Sequence, residues 1–531
     1  MKKRRETSGS APELDVAILG GGLAGNLLAR QLRRTLPELR IGLFDRSTAS
    51  SYKVGEATVE IAANYLIRKL GLSSYLYENQ LPKNGLRYFF DDERRSLPLQ
   101  EMSEIGTSNL PFHPAFQLNR ARLEEDLLEL NQRDGVQVRR GARVGAVELG
   151  EPGAPHAFEV SDERGKTRAS ARWIVDAAGR SGLLARRQGL RVSEPEHAIG
   201  SVWGRFESVV DIDTLGPEEF RARVRHTPRR LSTIHFCYPG YWIWFIPLRN
   251  DVTSVGVTGA RVARDRELRR PEGFRAFLEE HRAVASLLAP AKLLDVGSYT
   301  RIAYGTRRFF DPCRWGLTGE AATSADPLYS PGSDFIALEN DFLTDLIARD
   351  FAGEAPALLA ERCDLYDRFM RFRHESTMLL YSGLYDGLGS FELAGAKWDF
   401  DIGSYYNLWV SAYMCDRHLD LDFLREQLRL RPFVLNVLRN FATLFQSVEG
   451  RLRERGEYFR GNAGRFYCGL DGIRFMQEVG TERSQGVVFA QAGETFNQVR
   501  AKALQILGEA ESPGDVEPLP LSAFLAPRAL V

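Results

Sequence analysis

Cysteine is scarce in this chain and never clustered. The five cysteines stand at 237, 313, 363, 415 and 468, so there is no Cys-x-x-Cys pair and no interleaved histidine spacing of the zinc type. No metal site is expected, and reduced, buried thiols are the default. Long apolar runs are missing too, since no stretch reaches the roughly 18 residues of a bilayer-spanning helix. The basic start, residues 1–5, leads to an apolar run at 16–19 that glycines interrupt at once, too short for the core of a signal peptide. Net charge is also absent, because 70 Lys+Arg balance 70 Asp+Glu. Neither nucleic acid nor an anionic membrane is therefore expected as a partner, while a charged small molecule is compatible with such a surface. There are no internal repeats. These absences point to a soluble cytoplasmic protein.

What is present is apolar material in quantity. Hydrophobic residues make up 44% of the 531, with 31 Phe, 18 Tyr and 7 Trp, enough to offset the entropy of ordering the backbone. The length favours two or more domains, or one large fold built around a ligand. A short β-branched strand over 15–19 runs into Gly20, Gly22 and Gly25, then into a helix over 26–34 with apolar residues at helical spacing, then into a second strand over 40–45. The glycines serve a tight turn, the close approach of a pyrophosphate, and the packing of helix on sheet. The helix N-terminus offers free N–H groups and a positive dipole end to phosphates. Asp45 closes the unit, placed to accept hydrogen bonds from an adenosine ribose. The unit reads as a dinucleotide site, the alternative being a tight turn in an unrelated α/β fold.

Farther on, strand-like runs at 198–206, 232–238 and 254–258 predict an antiparallel sheet inserted over about 185–300. Beyond about 350 the pattern is mostly helical, and the last twenty residues, with Pro513, Pro518, Pro520 and Pro527, read as an irregular tail. The arginine-rich stretch 221–230 reads as a solvated face.

Four further segments carry a resemblance: Val54-Gly-Glu56-Ala57-Thr58, Gln117-Leu-Asn-Arg120, Trp242-Ile-Trp244-Phe-Ile246-Pro247, and the run from Gly319-Glu320 through Asp326-Pro327 to Gly332. With the glycine unit they make residues 15–350 resemble the FAD-dependent halogenases, tryptophan-halogenase-like flavoproteins within the FAD-binding monooxygenase folds. The resemblance implies an α/β, Rossmann-type FAD-binding fold with an inserted antiparallel substrate sheet and a mostly helical C-terminal region. It divides the chain into a module over 1–350 and a helical region over 351–531 that completes the substrate pocket. FAD contacts are implied for Gly20, Gly22, Gly25 and Asp45, for Glu56, Ala57 and Thr58, for Gly319, Glu320, Pro327 and Gly332, and for Gly179 at the end of a second close strand. Arg120 is implied at the FAD phosphates, where a guanidinium fork suits a diphosphate.

The hexamer discriminates within this class. Trp242 and Trp244 alternate along a strand and so share a face; with Ile246 and Pro247 they are implied to keep organic substrate from the flavin, so that reduced FAD and O2 oxidise halide instead. Lys83, 27 residues after Glu56, matches the lysine that carries hypohalous acid to substrate, by hydrogen bonding or as a haloamine if burial lowers its pKa. A separate flavin reductase is the implied source of reduced FAD, because no second glycine fingerprint follows. The implied substrate is an electron-rich aromatic or activated small molecule, free or tethered to a carrier protein.

The pattern breaks at 326–334. Tryptophan-type halogenases carry Glu-Ser-Thr-Gly there, whereas this chain has Tyr329, Ser330, Pro331 and Gly332. Proline has no N–H, so the expected halide site at Ser330 and Gly332 loses one donor. The next helix is expected to start with Ser333 as its cap, and Asp334 reads either as a base or as a partner of the helix dipole. This break keeps open a halide-independent FAD monooxygenase or oxidase, and a non-catalytic escort protein on the flavin scaffold. The histidines at 113, 235 and 374 receive no catalytic role, and the aromatics after 350 read first as helix packing and otherwise as the lining of a substrate pocket.

Overall fold

A computed structural model describes residues 13–224, 226–469 and 475–530. The strand Leu14–Leu19 is β-branched and fully apolar at its centre, and it is buried on both faces between the parallel strands Gly165–Asp176 and Ile41–Phe44. Around this core the first sheet runs in the order Phe310–Asp311, Trp315–Leu317, Gly165–Asp176, Leu14–Leu19, Ile41–Phe44, Gln137–Arg139. All but the first of these pairings are parallel. The helix Leu23–Thr35 presents its apolar stripe to the sheet and packs against Arg120–Arg133 and Gly332–Phe351. This is the expected Rossmann-type unit.

The second sheet is wider than the 185–300 insertion. Its order is Lys292–Tyr299, Gly200–Glu207, Val252–Gly259, Tyr241–Pro247, Thr233–Tyr238, Leu86–Phe90, Ser103–Ile105, Phe466–Tyr467. Two pairings, Thr233–Tyr238 with Leu86–Phe90 and Ser103–Ile105 with Phe466–Tyr467, are parallel, so the sheet is mixed at that end. One face packs on the helices Pro271–Glu279 and Arg282–Leu288 through Phe206, Phe236, Phe274 and Leu287. The other face carries Trp203, Trp242, Trp244 and Ile246 towards the first sheet.

The helices after 350 build a core of their own around Phe400, Phe441, Phe445 and Phe496, and they also share the core of the first sheet. One buried cluster joins Val16 and Ile18 to Tyr366, Phe369, Trp409 and Leu424, because the helix Pro356–Leu380 packs on Gly332–Phe351. The expected irregular tail is partly ordered and packed: Leu521–Leu525 is helical, started by Pro520, and Phe524 is fully buried against Phe441 and Phe496. The arginine-rich stretch is only partly a solvated face, since Arg229 is 1% exposed and shares the buried Glu104 with Arg87, at 2.8 Å and 2.5 Å. All five thiols are free, but only Cys237 and Cys363 are buried; Cys468 is exposed beside the edge strand Phe466–Tyr467.

Candidate functional site

The dinucleotide motif folds as its chemistry requires. Gly20 has φ +127°, and a Cβ there would stand 2.3 Å from the Ala177 carbonyl oxygen, so only glycine lets the two strand ends meet. A Cβ on Gly25 would lie 2.0 Å from the Gly20 carbonyl oxygen, which makes Gly25 a packing position beneath the turn, whereas Gly22, at the helix start, faces open space. A cavity of about 890 Å³ opens over this turn. Of the expected contacts, it collects Gly20, Gly22, Asp45, Glu56, Ala57 and Arg120 from the first part of the chain, and Gly179, Gly319, Glu320, Pro327, Ser330 and Gly332 from later segments. Gly319, at φ +62°, donates its N–H to buried Glu339 at 2.5 Å. Glu320 faces Arg180 at 3.2 Å.

Besides Gly25, two expected site residues lie outside the cavity. Thr58 is buried and spends both its N–H and its hydroxyl on the Phe116 carbonyl, while its own carbonyl points to Lys83. Pro247 does not line the cavity, because the period of two that turns Trp242, Trp244 and Ile246 inward turns Pro247 to the other face. Arg120 reaches the cavity, but its guanidinium already holds Glu124, at 2.5 Å, and the Val54 carbonyl, at 2.8 Å. Burial pushes Glu56 up despite the Arg205 guanidinium 3.0 Å away, and its Oε2 is buried with no hydrogen-bond partner among the described residues. The cradle, the room and the unmet polar atom fit an FAD.

The tryptophan pair forms the wall of that cavity. The indoles lie 5.5 Å apart between centroids; Trp242 donates to the Tyr385 hydroxyl at 3.0 Å and Trp244 to Ser254 at 3.3 Å. Tyr385 donates in turn to Asp326 at 2.7 Å, which also meets His197 at 2.7 Å, so the wall is tied to the 326–332 loop. Trp244 lies over Gly256, where a Cβ would be 2.2 Å from the indole.

A second cavity, about 560 Å³, lies on the other side of that loop, and Pro331 lines both. Lys83 lines it, 2% exposed, with Nζ donating to the Thr58 carbonyl at 2.8 Å. Burial pushes its ammonium down to about 8, with Glu60 and Asp334 partly opposing. Asp334 faces the same cavity: it accepts from the Ala62 N–H at 3.0 Å and the Tyr405 hydroxyl at 2.8 Å, and burial pushes it up to about 7. The expected helix cap at Ser333 is absent. Pro331 takes the cap position, its carbonyl accepting from Phe335 at 3.1 Å, because Ser330 at φ +55° turns the chain one step earlier.

Sequence reasoning reached this cavity only in part. Trp398, Tyr405, Tyr406 and Trp409, read first as packing, line it, and the Tyr406 hydroxyl, in a π-helical turn at Tyr406–Val410, donates to Glu60 at 2.6 Å. Tyr329 donates to buried Asp401, itself 2.8 Å from Lys397. No motif marked Glu60, Arg373 or Asp401; the one available signal was the density of aromatics after 350.

A family model described as FAD binding domain matches residues 13–328. The chain belongs to this FAD-binding family. Among curated relatives, Flavin-dependent halogenase chlA of Dictyostelium discoideum is 27% identical over 437 residues, 76% of this chain and 71% of the relative. Tetracycline 7-halogenase of Kitasatospora aureofaciens is 27% identical over 381 residues, 65% and 66% of the two chains. The crystal structure of halogenase PltM in complex with phloroglucinol and FAD shares the fold, with a TM-score of 0.69 at 18% identity over 93% of this chain and 98% of that one. The resemblance read from the motifs is borne out: this is an FAD-dependent enzyme of the flavin-dependent halogenase group. No described helix is long and apolar enough to cross a membrane.

Proposed function

We propose that the enzyme halogenates an electron-rich aromatic small molecule, with halide as co-substrate. The observation that carries this reading is Lys83, buried in an aromatic-lined cavity that the 326–332 loop separates from the FAD cavity. FAD, when bound, supplies the reduction of O2 that drives two-electron oxidation of halide to hypohalous acid. The chain does the rest. Gly20, Gly22, Asp45 and Glu320 hold the cofactor, and Trp242, Trp244 and Ile246 keep an organic ring off it. Halide sits at the first turn of Gly332–Phe351, where the N–H groups of Gly332 and Ser333 have no intrahelical partner and the positive helix end favours an anion. Ser333 thus offers the donor that Pro331 lacks. Lys83 passes the electrophile on, by hydrogen bonding HOX or as N–X after loss of water, and ionised Asp334 takes the ring proton.

Incubation of the FAD-loaded enzyme with NADH, a flavin reductase, O2 and a panel of phenols and pyrroles, with and without bromide, tests the reading. A brominated product that needs bromide and Lys83 is the expected result. The proposed separate reductase is tested by its omission, since undiminished product from NADH alone would overturn it. Carrier-tethered substrates enter the same panel, because one relative is a 1H-pyrrole-2-carbonyl-[peptidyl-carrier protein] chlorinase. Cell fractionation checks the proposed cytoplasmic location. A second reading, halide-independent oxygenation, is favoured by Pro331, which has no N–H for an anion; an oxygenated product formed equally without bromide would support it.

A further inference from the structure

A second cation faces the substrate cavity. Arg373, in the helix Pro356–Leu380, is 3% exposed and lines the same space as Lys83. Its side chain makes one hydrogen bond among the described residues, Nη1 to the Thr377 hydroxyl at 2.5 Å, and Nε is buried with no partner. The guanidinium is held by ring faces instead, 4.6 Å from the Trp409 centroid and 5.5 Å from that of Phe335. Asp334 is the carboxylate that acts on it, but the oxygens of Asp334 are taken by Ala62 and Tyr405.

This differs from how the fold treats its other buried arginines. Arg87 and Arg229 share Glu104, and Arg205 meets Glu56. A buried guanidinium with most donors unmet is costly unless something supplies acceptors. The other charges of the cavity do not. Glu60 is bound by Tyr406, and Asp401 by Lys397 and Tyr329. The unmet group faces an aromatic-lined space, so the acceptor it lacks is one that a ring can bring in.

Resting on the reading of this cavity as the substrate site, we propose that Arg373 binds an anionic oxygen on the substrate ring, a phenolate or a carboxylate, and so sets which ring position faces Lys83. The fork takes a carboxylate through two N–H groups or a phenolate through one.

Binding to the full-length, FAD-loaded, oxidised enzyme without reductant or halide tests this independently of turnover. The probes are benzoate and 4-nitrophenolate, with benzamide and nitrobenzene as neutral counterparts, titrated by calorimetry. At least one anion should bind about tenfold or more tighter than its neutral counterpart, as expected for hydrogen bonds to a charged group. Arg373→Leu should erase that preference and leave neutral binding unchanged, Arg373→Lys should keep part of it, and Lys83→Met should keep it; retained FAD absorbance shows that each variant is folded. A wild type that prefers neither anion, a preference that survives Arg373→Leu, or one that vanishes only in Lys83→Met overturns the proposal. Failure to halogenate under turnover would refute the functional reading and leave this result standing. The two failures are therefore distinguishable.

Discussion

Replacing Lys83 with methionine should make the protein more stable at neutral pH while ending halogenation. The Lys83 ammonium is 2% exposed and its pKa is pushed from 10.5 to about 8. A lowered lysine pKa means that the unfolded chain holds more protons than the folded one between pH 8 and 10.5, so stability rises with pH across that window. At pH 7 the full cost applies, roughly 3 kcal/mol at 1.36 kcal/mol per unit, and by pH 9 it falls to about 2 kcal/mol. Methionine removes that cost but strands the Thr58 carbonyl, which Nζ meets at 2.8 Å, for a loss of about 1 kcal/mol. Lys83→Met should therefore be more stable than wild type by about 2 kcal/mol at pH 7 and by about 1 kcal/mol at pH 9. Urea denaturation of both proteins at the two pH values measures this, and the difference between proteins cancels the titrating groups that Lys83 does not touch, leaving its neighbours Glu60 and Asp334. A variant less stable at pH 7, or a difference that does not shrink with pH, would refute the idea that Lys83 is stored as a destabilised cation.

Other changes test the rest of the site. Gly20→Ala puts a Cβ 2.3 Å from the Ala177 carbonyl at φ +127°, which should cost about 1–3 kcal/mol and weaken FAD binding about tenfold or more, as read by flavin fluorescence. Gly256→Ala drives a methyl to within 2.2 Å of the Trp244 indole; overpacking of about 1–3 kcal/mol is expected in thermal denaturation, with an altered flavin spectrum as the wall shifts. Asp334, held up to about 7 by burial, gains its basic form as pH rises, so kcat should climb through pH 7. Asp334→Asn should flatten that limb and lower kcat about 100-fold, and an unchanged profile would exclude Asp334 as the base.

The glycine turn was legible in the sequence because its determinants are local. Gly20, Gly22, Gly25 and Asp45 fall within one strand-helix-strand unit, where a period of two gives way to 3.6 and back. The tryptophan wall was legible for the same reason: alternation alone puts Trp242, Trp244 and Ile246 on one face, and by the same rule sends Pro247 to the other. The helix start at 331–333 was misread because the chain turns at Ser330, with φ +55°, and Pro331 takes the cap position in place of serine.

The sequence by itself determined the nucleotide fold and the side of the strand that faces its cavity, since both follow from spacing along a short stretch of chain. Only the tertiary structure decided the chemistry of the second cavity. Lys83, Asp334, Arg373 and Tyr405 come from four distant segments, and the burial that lowers one pKa, raises another and leaves a guanidinium unpaired exists only where those segments meet.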